Sequence, residues 1–296
     1  MRIPGILLAV TLAVFLSACG SSSTGTPPGS PTGVSVAPGA TAGTAVVSFT
    51  APASAGTSAI TGYTVTITPG GITAIGTSSP ITVTGLTVAT AYTYAVVANS
   101  ADGSSTPATT GALRFYSVVE TFTEPSMMLA THTTVFEGTF TYDVTHKEVS
   151  NLRGTLTEVM TGATPTKLTL PHQLSSEEVA VAGVRGLLVT TFMLDTVNTF
   201  DPYGFAPGLT TYYGQGAGEP NPKPSGVGNA YAMIFVNTAT GPTTALGASQ
   251  IAVLAYGDCA AGGMMGNMCM TGTTAAVYGR LGTMGGYPSD QVVTER

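Results

Sequence analysis

Charge is what this sequence has least of. Charged residues make up 8% of its 296 positions, against about 25% in ordinary soluble proteins. Lys and Arg number 9 against 15 Asp and Glu, a formal net charge of −6. With no basic stripe, nucleic acid is excluded as an expected partner. With no Lys/Arg cluster, nothing attracts anionic lipid by charge alone. Histidine is equally scarce: His132, His146 and His172. His132 and Glu137 would face opposite sides of a shared strand, His146 sits beside Lys147 in a turn, and His172 follows Pro171 at a strand end. No Gly-x-Ser-x-Gly occurs, and no His-Glu-x-x-His, calcium loop or Cys-x-x-Cys. No catalytic residue, metal or other cofactor is therefore expected. Sparse charge does not mean disorder here. Hydrophobic residues reach 43%, and Thr-rich segments alternate with Val, Ile, Tyr and Phe, which is the pattern of half-buried strands.

What the sequence does have begins at its start. Arg2 precedes an apolar run over 6–16, shorter than the ~20 residues that span a bilayer core. A positive charge, a short apolar run and small residues before a cut site describe an export signal. No second apolar run approaches spanning length. Leu16-Ser17-Ala18-Cys19 resembles the lipobox of bacterial lipoproteins. In that family the chain is cut before the cysteine, whose sulfur carries a diacylglycerol and whose new amine is acylated. The resemblance implies removal of residues 1–18 and a lipidated Cys19 as membrane anchor. One acyl chain holds a protein marginally, whereas two or more hold it firmly. Gly20 follows the cysteine where inner-membrane lipoproteins commonly carry Asp, so the expected location is the cell envelope, at the outer membrane if one is present. The alternative is an ordinary cleaved signal, for which Leu16 fits poorly.

Three cysteines are an odd count for an exported chain. If Cys19 is lipidated, Cys259 and Cys269 are left as a pair in an oxidising compartment, and a disulfide between them is expected. Gly262, Gly263 and Gly266 give that loop its freedom. Closing its 11 residues stabilises by about 3 kcal/mol in the chain-entropy model.

Residues 19–30 are rich in Gly, Ser, Thr and Pro and read as a lipidated cysteine with a flexible tether; 11 such residues span roughly 18 Å root-mean-square. Residues 31–112 alternate apolar with small polar residues at 34–36, 44–50, 63–68, 81–83 and 91–98. Pro38-Gly39, Ala51-Pro52, Pro69-Gly70-Gly71 and Asp102-Gly103 punctuate them. Short strands at this spacing imply an antiparallel sandwich. Ala45 to Pro52 and Ile60 to Val65, with Leu86, Thr90, Tyr92, Tyr94, Val96, Ala98, Asn99 and Gly103, resemble a bacterial fibronectin type III domain. Phe49 stands where that family usually has Trp. The resemblance implies a tyrosine corner at Tyr92 and a spacer or adhesive role.

Nearly all the charge lies in 113–296, a second domain expected to be all-β, as a larger β-sandwich or jelly roll of unknown function. Strands are expected at 114–122, 135–142, 149–160, 167–170, 187–200, 230–237 and 273–281, with a turn at 143–148. Leu246, Gln250, Ile251, Leu254 and Ala255 have helical spacing and predict one short helix. The hairpin over 135–160 is similar to segments of uncharacterised secreted bacterial β-proteins, a resemblance that carries no activity.

Candidate chemistry is thin. Glu120, Glu124, Glu137, Asp143, Glu158, Asp195 and Asp201 supply carboxylates for a glycoside hydrolase, but no spacing identifies a pair. Met264, Met265, Met268 and Met270 beside Cys259 and Cys269 offer soft ligands for Cu(I), or simply pack a disulfide-closed loop. Residues 201–229 form a long Gly/Pro-rich loop in which Tyr203, Phe205, Tyr212 and Tyr213 could stack on sugar rings or pin the loop to its own domain. The expected function is a membrane-anchored surface protein that binds a carbohydrate or protein ligand. A secreted hydrolase is the alternative, and a Cu(I) protein a remote one.

Overall fold

The computed structural model describes residues 25–124, 132–158, 166–195, 230–258, 270–272 and 287–296. Alternation of apolar and hydroxyl side chains drives the N-terminal part into strands β1 (Thr32–Pro38), β2 (Thr44–Thr50), β3 (Ile60–Thr68), β4 (Ile72–Gly76), β5 (Ile81–Thr84), β6 (Thr93–Ser100), β7 (Gly103–Ser104) and β8 (Ala108–Thr109). One sheet has the order β1-β2-β5 and the other β4-β3-β6-β7, with β8 paired to β6. Ala45, Val47 and Phe49 point inward from β2 to meet Val65, Ile67, Tyr94 and Val96, while the intervening Val46 and Ser48 are only half-buried. Phe49 fills the inter-sheet site by packing on Tyr63, with ring centroids 4.7 Å apart.

The Tyr92 hydroxyl accepts a hydrogen bond from the Thr87 N–H at 2.9 Å, so this tyrosine fixes the corner as its resemblance implied. Tyr92→Phe strands that donor and should cost about 1 kcal/mol, read as a lower denaturant midpoint with an unchanged slope.

Residues 25–30 hydrogen-bond to loops of the first sandwich. Thr26 donates from its N–H to Thr57 Oγ1 and accepts from the Thr57 N–H. Gly29 N–H donates to Ser54 O at 2.9 Å, and Ser30 Oγ donates to Thr106 O at 2.6 Å. Small side chains let this backbone lie against the loops and satisfy its polar groups there.

The second sandwich contains β9 (Leu113–Glu124), β10 (His132–Asp143), β11 (Glu148–Glu158), β12 (Thr166–Leu170), β13 (His172–Val181), β14 (Val184–Phe192), β15 (Ala230–Asn237), helix α1 (Ala248–Ile251), β16 (Ala255–Asp258), β17 (Met270–Gly272) and β18 (Tyr287–Glu295). Two five-stranded antiparallel sheets, β12-β11-β10-β9-β18 and β13-β14-β15-β16-β17, enclose Phe122, Phe136, Phe140, Leu152, Leu156, Val189, Ile234 and Tyr256. Every residue of β15 is buried. Its other face, Tyr231, Met233 and Phe235, packs with Leu188, Phe192 and Leu254, joined by Leu246 and Ile251 beside α1. The spacing over 246–255 thus yields one helical turn rather than a longer helix, because Ala255 is already paired to Met233 in β16. The expected strand at 187–200 starts earlier and ends at Phe192, and β13 and β18 go beyond the strands expected from the sequence. The expected strand at 273–281 lies outside the described residues.

A buried glutamine links the two sheets. Gln291 of β18 reaches the free edge of β15, where its Nε2 donates to Phe235 O at 2.7 Å and its Oε1 accepts from Phe235 N–H at 2.9 Å. Beside it across β9 lies Glu120, fully buried, with both carboxyl oxygens unpartnered. Within the first sheet, Gly138 and Gly154 face each other on β10 and β11 with the Phe136 ring lying over both. A Cβ on either would approach that ring to 2.7 Å.

The two sandwiches share a strand. Leu113 and Phe115 at the start of β9 belong to the first core, whereas Tyr116, Val118 and Phe122 belong to the second. Leu113 exchanges two backbone hydrogen bonds with Tyr92. Across the junction Thr141 Oγ1 and Asn151 Nδ2 both donate to Val36 O, at 2.7 and 3.0 Å, and Arg153 donates to Pro38 O at 3.1 Å.

Candidate functional site

Several sequence-expected site residues, namely Cys19, Tyr203, Phe205, Tyr212, Tyr213, Cys259 and Cys269, lie outside the described residues. Of the carboxylates, Glu120 turns into the core and Glu137, on the neighbouring strand, turns outward. Asp143 closes a turn. Among the described residues no group of three His, Cys, Asp or Glu side chains gathers as a metal site.

Two concavities on the C-terminal sandwich are roomy enough to hold a ligand. The first is an open trough of about 540 Å³ on the outer face of sheet β12-β11-β10-β9-β18. The hydroxyls of Ser117, Thr139, Thr155 and Thr169 line it with Val119, and Glu137, Arg153 and Arg296 add charge. Most outward positions along it are small or β-branched, alternating with inward aromatics and glycines, while Glu137, Arg153 and Arg296 are its long side chains.

The second is a hollow of about 360 Å³ between the β10–β11 turn, the β13–β14 hairpin and the end of β15, lined by His146, Lys147, Glu178, Arg185 and Thr238. Asp143 organises the turn. Its Oδ1 accepts from the N–H groups of Thr145 and His146 at 2.8 and 3.0 Å, and its Oδ2 lies 2.8 Å from His146 Nδ1. Burial pushes the Asp143 carboxyl up, but the His146 ring and the two backbone donors outweigh it and hold it below its ordinary value. The same contact raises His146, chiefly through the hydrogen bond to Asp143 and then its charge. The turn closes with Lys147 N–H donating to Asp143 O at 2.8 Å, which places Lys147 at φ +58°. That left-handed conformation costs a side-chain-bearing residue on the order of 1 kcal/mol relative to glycine. Among the described residues neither Lys147, Arg185 nor Glu178 forms an ion pair. Sequence reasoning placed the turn and its exposed histidine but missed this convergence, because Glu178 and Arg185 arrive from a hairpin far along the chain. The one local signal was a turn ending in Lys where glycine or asparagine is usual.

The junction holds the turn in place. Val144 N–H donates to Ala112 O at 2.9 Å, Ala112 N–H donates to Thr145 Oγ1 at 3.4 Å, and a side chain at Gly111 would collide with the Asp143 carboxylate. The N-terminal sandwich that supplies Gly111 and Ala112 combines the β1-β2-β5 and β4-β3-β6-β7 sheets with a tyrosine corner at Tyr92. Residues 29–111 form a fibronectin type III domain. No curated protein matches the chain. A fibronectin type III domain is a binding or spacer module, and here it also buttresses a turn of its neighbour. The segment 25–28, which precedes the family match, docks on the fibronectin domain as well.

Proposed function

We propose that this is an exported lipoprotein, anchored through Cys19 in the cell envelope, at the outer membrane where one is present. Its fibronectin domain mounts a C-terminal sandwich that binds a carbohydrate or protein ligand without turning it over. The observation that carries the reading is the open trough across four strands of the outer sheet, with hydroxyl, methyl and charged groups in one shallow track. Such a track suits an extended chain lying on the surface, whereas small-molecule sites enclose most of their ligand. Anchoring fits the docked segment too. With residues from Gly25 onward bound to the fibronectin domain, only the five residues 20–24 separate the anchor from the fold, a reach of at most ~18 Å.

Two variants test this. Cys19→Ser should abolish lipid labelling and leave the chain soluble or as unprocessed precursor; membrane retention with no lipid on the wild type would remove the anchor. Thr155→Arg places bulk and charge in the trough at an outward site, and should abolish binding to the polysaccharide or envelope protein that the wild type retains while leaving the melting temperature within about 1 °C. Reaction products released from a bound polysaccharide would move the assignment to a hydrolase.

A further inference from the structure

The hollow at the β10–β11 turn combines features that a merely structural turn does not need. Lys147 and Arg185 approach it from different hairpins, and neither is spent on an ion pair among the described residues. In a chain of net charge −6 with 9 Lys and Arg, two uncommitted cations on one hollow are a concentration of scarce charge. His146 joins them, its Nδ1 held by Asp143, which orients the ring. Lys147 keeps its side chain at a backbone position, φ +58°, that glycine would occupy without strain.

Glu178 in the same lining narrows the ligand. A bare anion would meet two cations and one carboxylate. A ligand bearing an acid group next to hydroxyls would satisfy all three, with its oxyanion on Lys147 and Arg185 and its hydroxyls donating to Glu178. Thr238 adds a hydroxyl that can serve either part.

We propose that this hollow binds an acidic sugar, one carrying a carboxylate or a phosphate, as a unit of an envelope or host polysaccharide. The inference rests on the binding reading above in taking the C-terminal sandwich as the ligand-bearing part, but it uses a different surface from the trough.

The test is calorimetric titration of the mature chain carrying Cys19→Ser. The probes are polygalacturonate for the carboxylate source, glucose 6-phosphate for the phosphate source, and dextran as the neutral control. One acidic probe should bind at least about ten-fold more tightly than dextran, and Arg185→Gln and Lys147→Gly should each lose about ten-fold, as expected for a lost charge-assisted hydrogen bond. Lys147→Gly should at the same time raise the melting temperature, so lost affinity cannot be ascribed to unfolding. Binding should strengthen as pH falls through the raised His146 value, where the ring gains its proton. The charged groups around that ring are Asp143, Lys147 and Glu148 on its own turn and Glu178 and Arg185 on the facing hairpin. Undiminished binding by both variants, or equal binding of dextran, overturns the proposal. If Thr155→Arg abolishes binding while Lys147→Gly does not, the hollow is excluded and the broader reading stands. If no acidic probe binds, the hollow is likewise excluded, while a neutral or protein ligand lost with Thr155→Arg keeps the broader reading.

Discussion

Glu120→Gln should leave stability unchanged in acid and raise it progressively as pH increases. Glu120 is fully buried with neither carboxyl oxygen partnered, and burial pushes its carboxyl well above the ordinary value. The folded protein therefore holds a proton that the unfolded chain releases. Below the unfolded value both states are protonated and the native state bears no ionisation penalty. Above it, stability falls by about 1.4 kcal/mol per pH unit until the folded value is reached. The amide variant lacks this loss. Its denaturation free energy should match the wild type near about pH 4 and exceed it increasingly toward neutrality. Glu120→Met also removes the unsatisfied polar atoms and should add about 1–3 kcal/mol at every pH. Parallel pH profiles for wild type and Glu120→Gln would show that the carboxyl finds a partner or solvent.

Gln291→Leu should be among the most damaging single changes in the molecule. The Gln291 amide satisfies both the N–H and the C=O of Phe235 from the opposite sheet, where β15 extends beyond its last pairing with β16, at Met233. Leucine keeps the volume but leaves two buried backbone groups without partners, each costing about 1–3 kcal/mol. A total loss of about 2–5 kcal/mol is expected, measured by denaturant unfolding, with the Tyr256 region of β16 exposed to hydrogen exchange before the fibronectin domain. A loss below about 0.5 kcal/mol would mean that water replaces the amide.

The legible parts of this fold were those whose side chains alternate locally. The strand over 44–50 and the buried strand over 230–237 coincide with β2 and β15 residue for residue, because a near alternation bounded by turn residues, or an unbroken apolar run, admits few other readings. Turn chemistry was equally plain over 143–148, where Asp143 caps its own turn. β13 was not legible. Its burial alternates only between exposed and half-buried positions, since it is a sheet edge and its Ser and Glu residues need not be apolar. β18 was hidden for a different reason. Its inward residues include Pro288 and Gln291, and a buried glutamine is explained only by a partner more than fifty positions away. The same holds for the hollow, whose Lys147 and Arg185 meet only through tertiary folding. Charges scattered along a sequence say little until strand order brings them together.

The strand that belongs to both cores also settles how this protein would carry a mechanical load. Two sandwiches joined by a loose linker swing and extend before either resists a pull. Here β9 passes from one core into the other without an intervening coil, and β10 and β18 pair along its two sides. Arg114 Nη1 adds a 2.8 Å bond to Glu295 on β18 near the crossing. Tension between the N-terminal end and a ligand held on the C-terminal sandwich would run along β9. The ladder bonds lie perpendicular to that axis, so they would be loaded together in shear instead of being peeled one at a time. The molecule is in that sense a strut, able to hold its far end at a fixed angle and distance while being pulled.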